Sequence, residues 1–287
     1  MKFKKIFIAI VGIIILLIIF NYSRIIVSYN KQKAICTESY DVNGKQGSYV
    51  PQGITYSLKY NCILQTSYNK KDVSMLYVTD FESGKLLKAL KLFKHDDTKN
   101  MNHVGGITTN DDKVWITSDF EINEYNLDDI MRTEQDSIKS EEDLKLRNRG
   151  DFCLYNDNTL WIGDFYLKFL YELPEKKPLL MGYNLTEKID YEKPDKIMQL
   201  PNMVQGMAIT SDNKFVFSRS YSGILKSNIS VYEKETLIKN TKIPPMAEGL
   251  FIKDDFLYVL YESCSDTYQT AYPKIDKILK YDMKNFK

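Results

Sequence analysis

One phrase recurs along the chain past residue 50. A polar residue and a glycine lead into an apolar strand, an Asp/Asn-rich turn follows, and a second strand carrying Trp, Phe or Tyr ends on a polar residue. The copies begin at Gln52-Gly53-Ile54 (then CILQTSY), Gly105-Gly106-Ile107 (then NDDK, VWITSD) and Asp151-Phe152-Cys153 (then NDNT, LWIGDF). Two more begin at Gln205-Gly206-Met207 (then SDNK, FVFSRSY) and Glu248-Gly249-Leu250 (then KDD, FLYVLYES). A third strand recurs behind them: SMLYVTD, INEYNL, LLMGYNL, ISVYEK and KILKYDM. Successive copies lie roughly 40–55 residues apart, the span of a four-stranded propeller blade. Period-two alternation with Asp/Asn turns, and no sustained helical periodicity past residue 30, make the body all-β.

Five copies predict a five-bladed β-propeller. The last copy supplies three strands, AEGLFI, FLYVLYE and DKILKYD, so Ala34–Val42 is predicted to be its fourth, closing the ring. Closure removes the edges that an open array would expose. A sixth blade stays open because the third copy has strand-like text to spare. A two-sheet sandwich does not explain the repeated Gly-apolar phrase. The acidic insertion Leu127–Leu146 reads as a solvated loop or short surface helix.

The amino terminus carries a different message. Lys2, Lys4 and Lys5 precede the unbroken apolar run Ile6–Phe20, and no acid occurs before residue 30. The run is shorter than the roughly 17–25 residues of a span, but a helix continuing to Val27 would reach if Arg24 snorkels. No small-x-small site follows, since Phe20, Tyr22 and Arg24 are poor cleavage residues. Residues 1–28 are therefore expected to be an uncleaved single-pass signal-anchor, 29–33 a linker and 34–287 an extracytoplasmic propeller. The lysines would stay inside by the positive-inside rule. A cleaved signal, giving a secreted protein, is the rival.

Composition excludes several classes. With 44% apolar and 27% charged residues and a formal net charge of +1, the chain is neither disordered nor basic enough for nucleic acid. Cys36, Cys62, Cys153 and Cys264 lie far apart with no CxxC, and His95 and His103 are the only histidines, so a structural zinc is not expected. Export would permit disulfides, and free buried thiols are equally compatible.

Blade geometry assigns the chemistry to one face. The start of each inner strand and the end of each second strand share a channel mouth, which gathers Gln52, His103, Asp151, Gln205 and Glu248. Ser67, Tyr68, Asp119, Asp164, Arg219, Tyr221 and Glu262 join from the second strands. Polar lining that only holds water is the bland reading of such a ring. Gly53, Gly106, Gly206 and Gly249 are expected to let inner strands approach closely, and Trp115 and Trp161 to pack between blades.

The phrases VPQGITYS (50–57), NHVGGITT (102–109), LWIGDF (160–165), VQGMAITSDNKFVFSRSY (204–221) and PPMAEGLFIKDDFLYVLYES (244–263) resemble those of an uncharacterised family of bacterial exported β-propellers, secreted or membrane-anchored. That family is grouped loosely with surface-layer and quinoprotein-like repeat propellers. The resemblance covers roughly residues 48–283 and implies an exported propeller, with no substrate, cofactor or catalytic residue attached; the insertion at 127–146 departs from its pattern.

Three uses of the mouth compete. A binding or scaffolding module for a cell-wall glycan, peptide or envelope protein needs no catalytic motif. The chain has no GxSxG, HExxH, Walker or GxGxxG signature, so binding is the preferred reading. The alternative is a glycan- or lactone-directed hydrolase or lyase, in which two carboxylates split the acid and base roles. Its candidates are Glu248 and Asp151, with Asp164 and Glu262 in reserve and His103 as a further acid or base. Arg219 would grip a substrate carboxylate, Tyr68 and Tyr221 would stack on a sugar, and Gln52, Gln205 and Asp119 would complete the ligand contacts. A third use puts Ca2+ in the channel on Glu248, Asp151, Gln52 and Gln205.

Overall fold

The computed structural model describes residues 2–45, 48–167, 178–186, 189–223 and 225–287. Helix α1 (Lys2–Lys33) leads through two residues into strand β1 (Cys36–Asp41), and a ring of antiparallel sheets follows. Blade 1 is β2 (Val50–Ser57), β3 (Cys62–Asn69), β4 (Asp72–Asp80) and β5 (Leu86–Phe93). Blade 2 holds β6 (Gly106–Thr109), β7 (Lys113–Ser118) and β8 (Glu121–Asn126), then the insertion of α2 (Leu127–Arg132), β9 (Ser137–Lys139) and β10 (Glu142–Lys145). Blade 3 is β11 (Phe152–Asn156), β12 (Thr159–Gly163), β13 (Leu179–Asn184) and β14 (Lys196–Gln199). Blade 4 is β15 (Val204–Ile209), β16 (Phe215–Arg219), β17 (Ser227–Glu233) and β18 (Thr236–Ile243). Blade 5 is β19 (Ala247–Lys253), β20 (Phe256–Tyr261), β21 (Lys277–Asp282) and, from the far end of the chain, β1.

The five blades and the closing strand follow the predicted pattern. β1 pairs antiparallel with β21, Cys36 opposite Tyr281 and Glu38 opposite Leu279, inside the expected 34–42 segment. The insertion follows it only in its short helix α2. β10 is the outer strand of blade 2, and β9 crosses over to add a parallel fifth strand to β5 of blade 1. Asp128 of α2 meets Lys59 Nζ at 2.6 Å and accepts from Tyr60 Oη at 2.8 Å, so the insertion straps blades 1 and 2 together.

Close packing at the axis sets the ring's size. A Cβ on Gly249 would stand 2.7 Å from Ile54 N and 2.9 Å from Gln52 O, and one on Gly206 2.9 Å from Glu248 O, so side chains at these positions would push the inner strands apart. Hydroxyls on the second strands tie blade 1 to blade 2 and blade 4 to blade 5: Thr66 Oγ1 donates to Val104 O at 2.8 Å, and Ser218 Oγ donates to Glu248 O. Trp115 and Trp161 are buried as expected. Trp115 Nε1 and Tyr191 Oη both donate to Glu124 Oε1, at 3.1 and 2.9 Å, linking blades 2 and 3. All four cysteines are free thiols, with Cys62 and Cys153 buried.

Residues 29–33, expected as a linker, are the last turns of α1. Among the described residues no helix is long and apolar enough to cross a membrane. Many side chains of the apolar run, including those of residues 8–9 and 17–18, lie outside the described set.

Candidate functional site at the channel mouth

Register defines the mouth. Val50 lies opposite Tyr68, Val204 opposite Arg219 and Ala247 opposite Tyr261, so inner strands begin where second strands end. Residues at the equivalent inner-strand position are Gln52, Gly105, Asp151, Gln205 and Glu248. Blade 2 thus contributes a glycine there, and His103 stands two residues earlier. The sequence reading had equated His103 with the other four.

Glu248 and Glu262 form the centre. Glu248 is buried at 3% exposure. Burial, and then the neighbouring Glu262 charge, raise its carboxyl well above the usual range. Glu262, one residue past β20, is pushed up to about 7 by burial, held in check by hydrogen bonds from Tyr268, Glu248 and Gln52. Glu248 and Glu262 therefore share one proton between them, as two carboxyls forced together require. Each acid also takes an amide: Gln52 Nε2 donates to Glu262 Oε2 at 3.2 Å, and Gln205 Nε2 to Glu248 Oε1 at 3.2 Å.

Tyr268 was not anticipated. It ends a single 3-10 turn (Asp266–Tyr268) in the long β20–β21 connection. That connection reaches across the mouth: Thr267 Oγ1 donates to Ser48 O of blade 1 at 3.4 Å, and Tyr272 N to Gly223 O of blade 4 at 3.3 Å. Tyr68, beside it, has its phenol raised by burial and then by Glu262. The Tyr68 ring packs on the His103 imidazole with centroids 4.2 Å apart. Burial holds His103 down to about 4, so it is neutral at pH 7.

A second acid group lies on blades 2 and 3. Arg149, also unanticipated, places Nε 3.0 Å from Asp151 Oδ1 and Nη2 3.8 Å from Asp119 Oδ1. Asp151 Oδ2 accepts Phe165 N at 2.8 Å. Burial nevertheless drives Asp151 up to about 7, against the pull of Arg149. Asp164 accepts Arg149 N and Gly150 N at 2.8 and 3.2 Å, and Asp119 accepts His103 N at 3.1 Å; both carboxylates shape loops.

Arg219 points elsewhere than expected. Ser218 faces blade 5, so Arg219, next along the strand, faces the other way. Its Nε donates to Asn202 O at 2.8 Å and its Nη1 reaches Ser230 Oγ at 3.5 Å, leaving it no reach over the channel. Tyr221 is half-buried in the loop after β16. Glu248 and Asp151 do not pair with each other; Glu248 pairs with Glu262. Among the described residues no group of three or more His, Cys, Asp or Glu side chains is placed to hold a metal. Gln52 and Gln205, expected to offer oxygens to Ca2+, turn their NH2 groups to the carboxylates instead.

Fold and site together define a five-bladed propeller with a proton-sharing acid pair at its mouth. No family model matches the chain, and no curated protein matches it. Its fold is similar to that of Myxococcus xanthus glutaminyl cyclase, with a TM-score of 0.55 and 8% identity over 86% of this chain and 94% of that one. It is also similar to the PQQ-bound aldose sugar dehydrogenase of Streptomyces coelicolor, with a TM-score of 0.53 and 12% identity over 86% and 96%. Both likenesses show the fold.

Proposed function

We propose that the protein is an acid–base enzyme whose mouth moves a proton through the Glu248–Glu262 pair. The observation that carries this is the buried carboxyl pair: Glu248 and Glu262 meet at the open end of one hairpin, and each takes a glutamine amide. Burial raises both carboxyls, so one of them can serve as acid and the other as base, and it raises Asp151 to about 7 nearby. Two acids whose surroundings separate their roles are the usual equipment of hydrolytic and lyase chemistry. Carboxylates outnumber Arg149 around the mouth, which favours uncharged or cationic substrates over anions.

Glycans and lactones remain the substrate classes to offer first. Glutaminyl peptides and aldoses join them because proteins of similar fold bear those names. The test is a panel of these compounds with the parent chain, Glu248→Gln and Glu262→Gln. Turnover lost in both variants, with unchanged melting, supports catalysis. Turnover by neither parent nor variants, alongside saturable binding, favours the second reading. That reading is an envelope-binding module for a glycan or protein partner, and its support is that Gln52, Gln205 and Tyr268 already engage both carboxyls.

The anchoring of residues 1–28, with the propeller outside the cytoplasmic membrane, is part of the same proposal. Its support is Lys2, Lys4 and Lys5 ahead of the apolar run, and exposed Ile13, Ile14, Ile15 and Leu16, successive residues that clothe every side of one turn. A helix apolar all round calls for lipid or a protein core.

A further inference from the structure

We propose that the mouth faces the lipid bilayer, so that the propeller works on what the membrane surface presents to it. The inference rests on the anchoring reading, and three observations on the fold give it a direction.

The first is the path of α1. β1 starts at the face away from the mouth, because Cys36 pairs with Tyr281 and Tyr281 with Leu257, near the start of β20. The chain then doubles back on itself. Lys33 Nζ lies 3.0 Å from Glu38 Oε1, partway up β1, so the last turn of the helix stays close to the strand. Tyr29 is within electrostatic range of Glu38 and of Tyr272, on the mouth-side connection. It packs on the cluster of blades 4 and 5 that runs from Tyr281 and Phe286 at the far face to Ile243 and Tyr261 at the mouth ends of β18 and β20. The helix therefore runs up the outside of blades 4 and 5 towards the mouth.

The second is length. From Lys33 back to Phe20 the helix rises about 20 Å, while β1 climbs about 17 Å from Cys36 to Asp41. The apolar run thus begins at the level of the mouth rim. A bilayer holding Ile6–Phe20 would lie against that rim.

The third is independent of α1. Loops on the mouth side expose Phe120 at 56% and Leu225 at 58%. Phe120 sits at φ +67, a left-handed conformation rare for a bulky residue. It follows Asp119, also left-handed at φ +51, and the tight turn holds the ring outward. Exposed Lys70 and Lys71 stand on a neighbouring mouth-side turn. Aromatic and aliphatic tips beside lysines suit the headgroup boundary.

The experiment uses the full chain reconstituted in phosphatidylcholine vesicles containing a lipid with a headgroup nitroxide. A fluorophore is placed in turn at Phe120→Cys, Leu225→Cys and Leu58→Cys, and the labelling of the unsubstituted chain is subtracted. Leu58, in the β2–β3 turn on the opposite face, is 79% exposed and serves as the far-side probe. Quenching at positions 120 and 225 several-fold stronger than at 58 is expected. Equal quenching, or stronger quenching at 58, overturns the inference while leaving the anchor standing. A chain that fails to float with the vesicles overturns both.

Discussion

Glu248, near the start of β19, shares a proton with Glu262, one residue beyond the end of β20, and the two carboxyls are held in register by their own hairpin. Ala247 pairs with Tyr261, so the acids occupy adjoining positions where the strands open onto the mouth. Gln205 of blade 4 and Gln52 of blade 1 flank them, one amide to each acid. Three blades therefore converge on one proton.

Glu248→Gln keeps a donor beside Glu262 but removes the titrating proton. Turnover of any substrate found in the panel is expected to fall about 100-fold or more, with the melting temperature unchanged or raised. A fall in melting temperature with turnover retained would assign the pair to structure alone.

Tyr268→Phe removes a hydrogen bond that favours ionised Glu262. Its carboxyl should then titrate higher, and the limb of the pH–rate profile that reports the base should move to higher pH. An unmoved limb would mean that Glu262 is not the base.

Stability should depend on pH through the same acids. Asp151 and Glu262 both titrate near 7 when folded, above their ordinary values of 3.8 and 4.5. The folded chain thus holds protons that the unfolded chain has released. Stability from these groups is full below about pH 4 and is lost as pH rises through 7. His103, held down to about 4 from 6.5, acts in the opposite sense below pH 6.5. Above that, the acids stand alone, and melting temperature should decline from pH 6.5 to 8. Asp151→Asn combined with Glu262→Gln should flatten the decline.

Gly249→Ala would set a methyl 2.7 Å from Ile54 N and 2.9 Å from Gln52 O, both backbone atoms that cannot swing aside. A loss of about 1–3 kcal/mol is expected, measured by denaturant unfolding. The same change at Gly12, with nothing within 4 Å, should be silent.

Blades, closing strand and ring position were legible because each repeats: period two sets strands, Asp/Asn sets turns, and a narrow axis demands glycine. What did not repeat was not legible. Tyr268 comes from a connection with no counterpart in other blades, and Arg149 precedes its blade's phrase without a parallel elsewhere. The pairing of Glu248 with Glu262 rather than Asp151 follows from hairpin register within one blade, whereas the sequence reading compared positions between blades. Arg219 was placed over the channel from its position at a strand end. The alternation that turns Ser218 towards Glu248 O turns Arg219 away. Insertion 127–146 carried too little apolar pattern to reveal two strands, because β9 and β10 lie on the outer rim and expose much of their surface.

The most direct measurement is infrared difference spectroscopy of the carboxyl stretch at neutral pH, made in an Asp151→Asn background to remove the other acid that titrates near 7. A protonated carboxylic acid band, present in that background and lost when Glu248→Gln and Glu262→Gln are added together, is the result expected of a shared proton. No such band, or one that survives both changes, would contradict it.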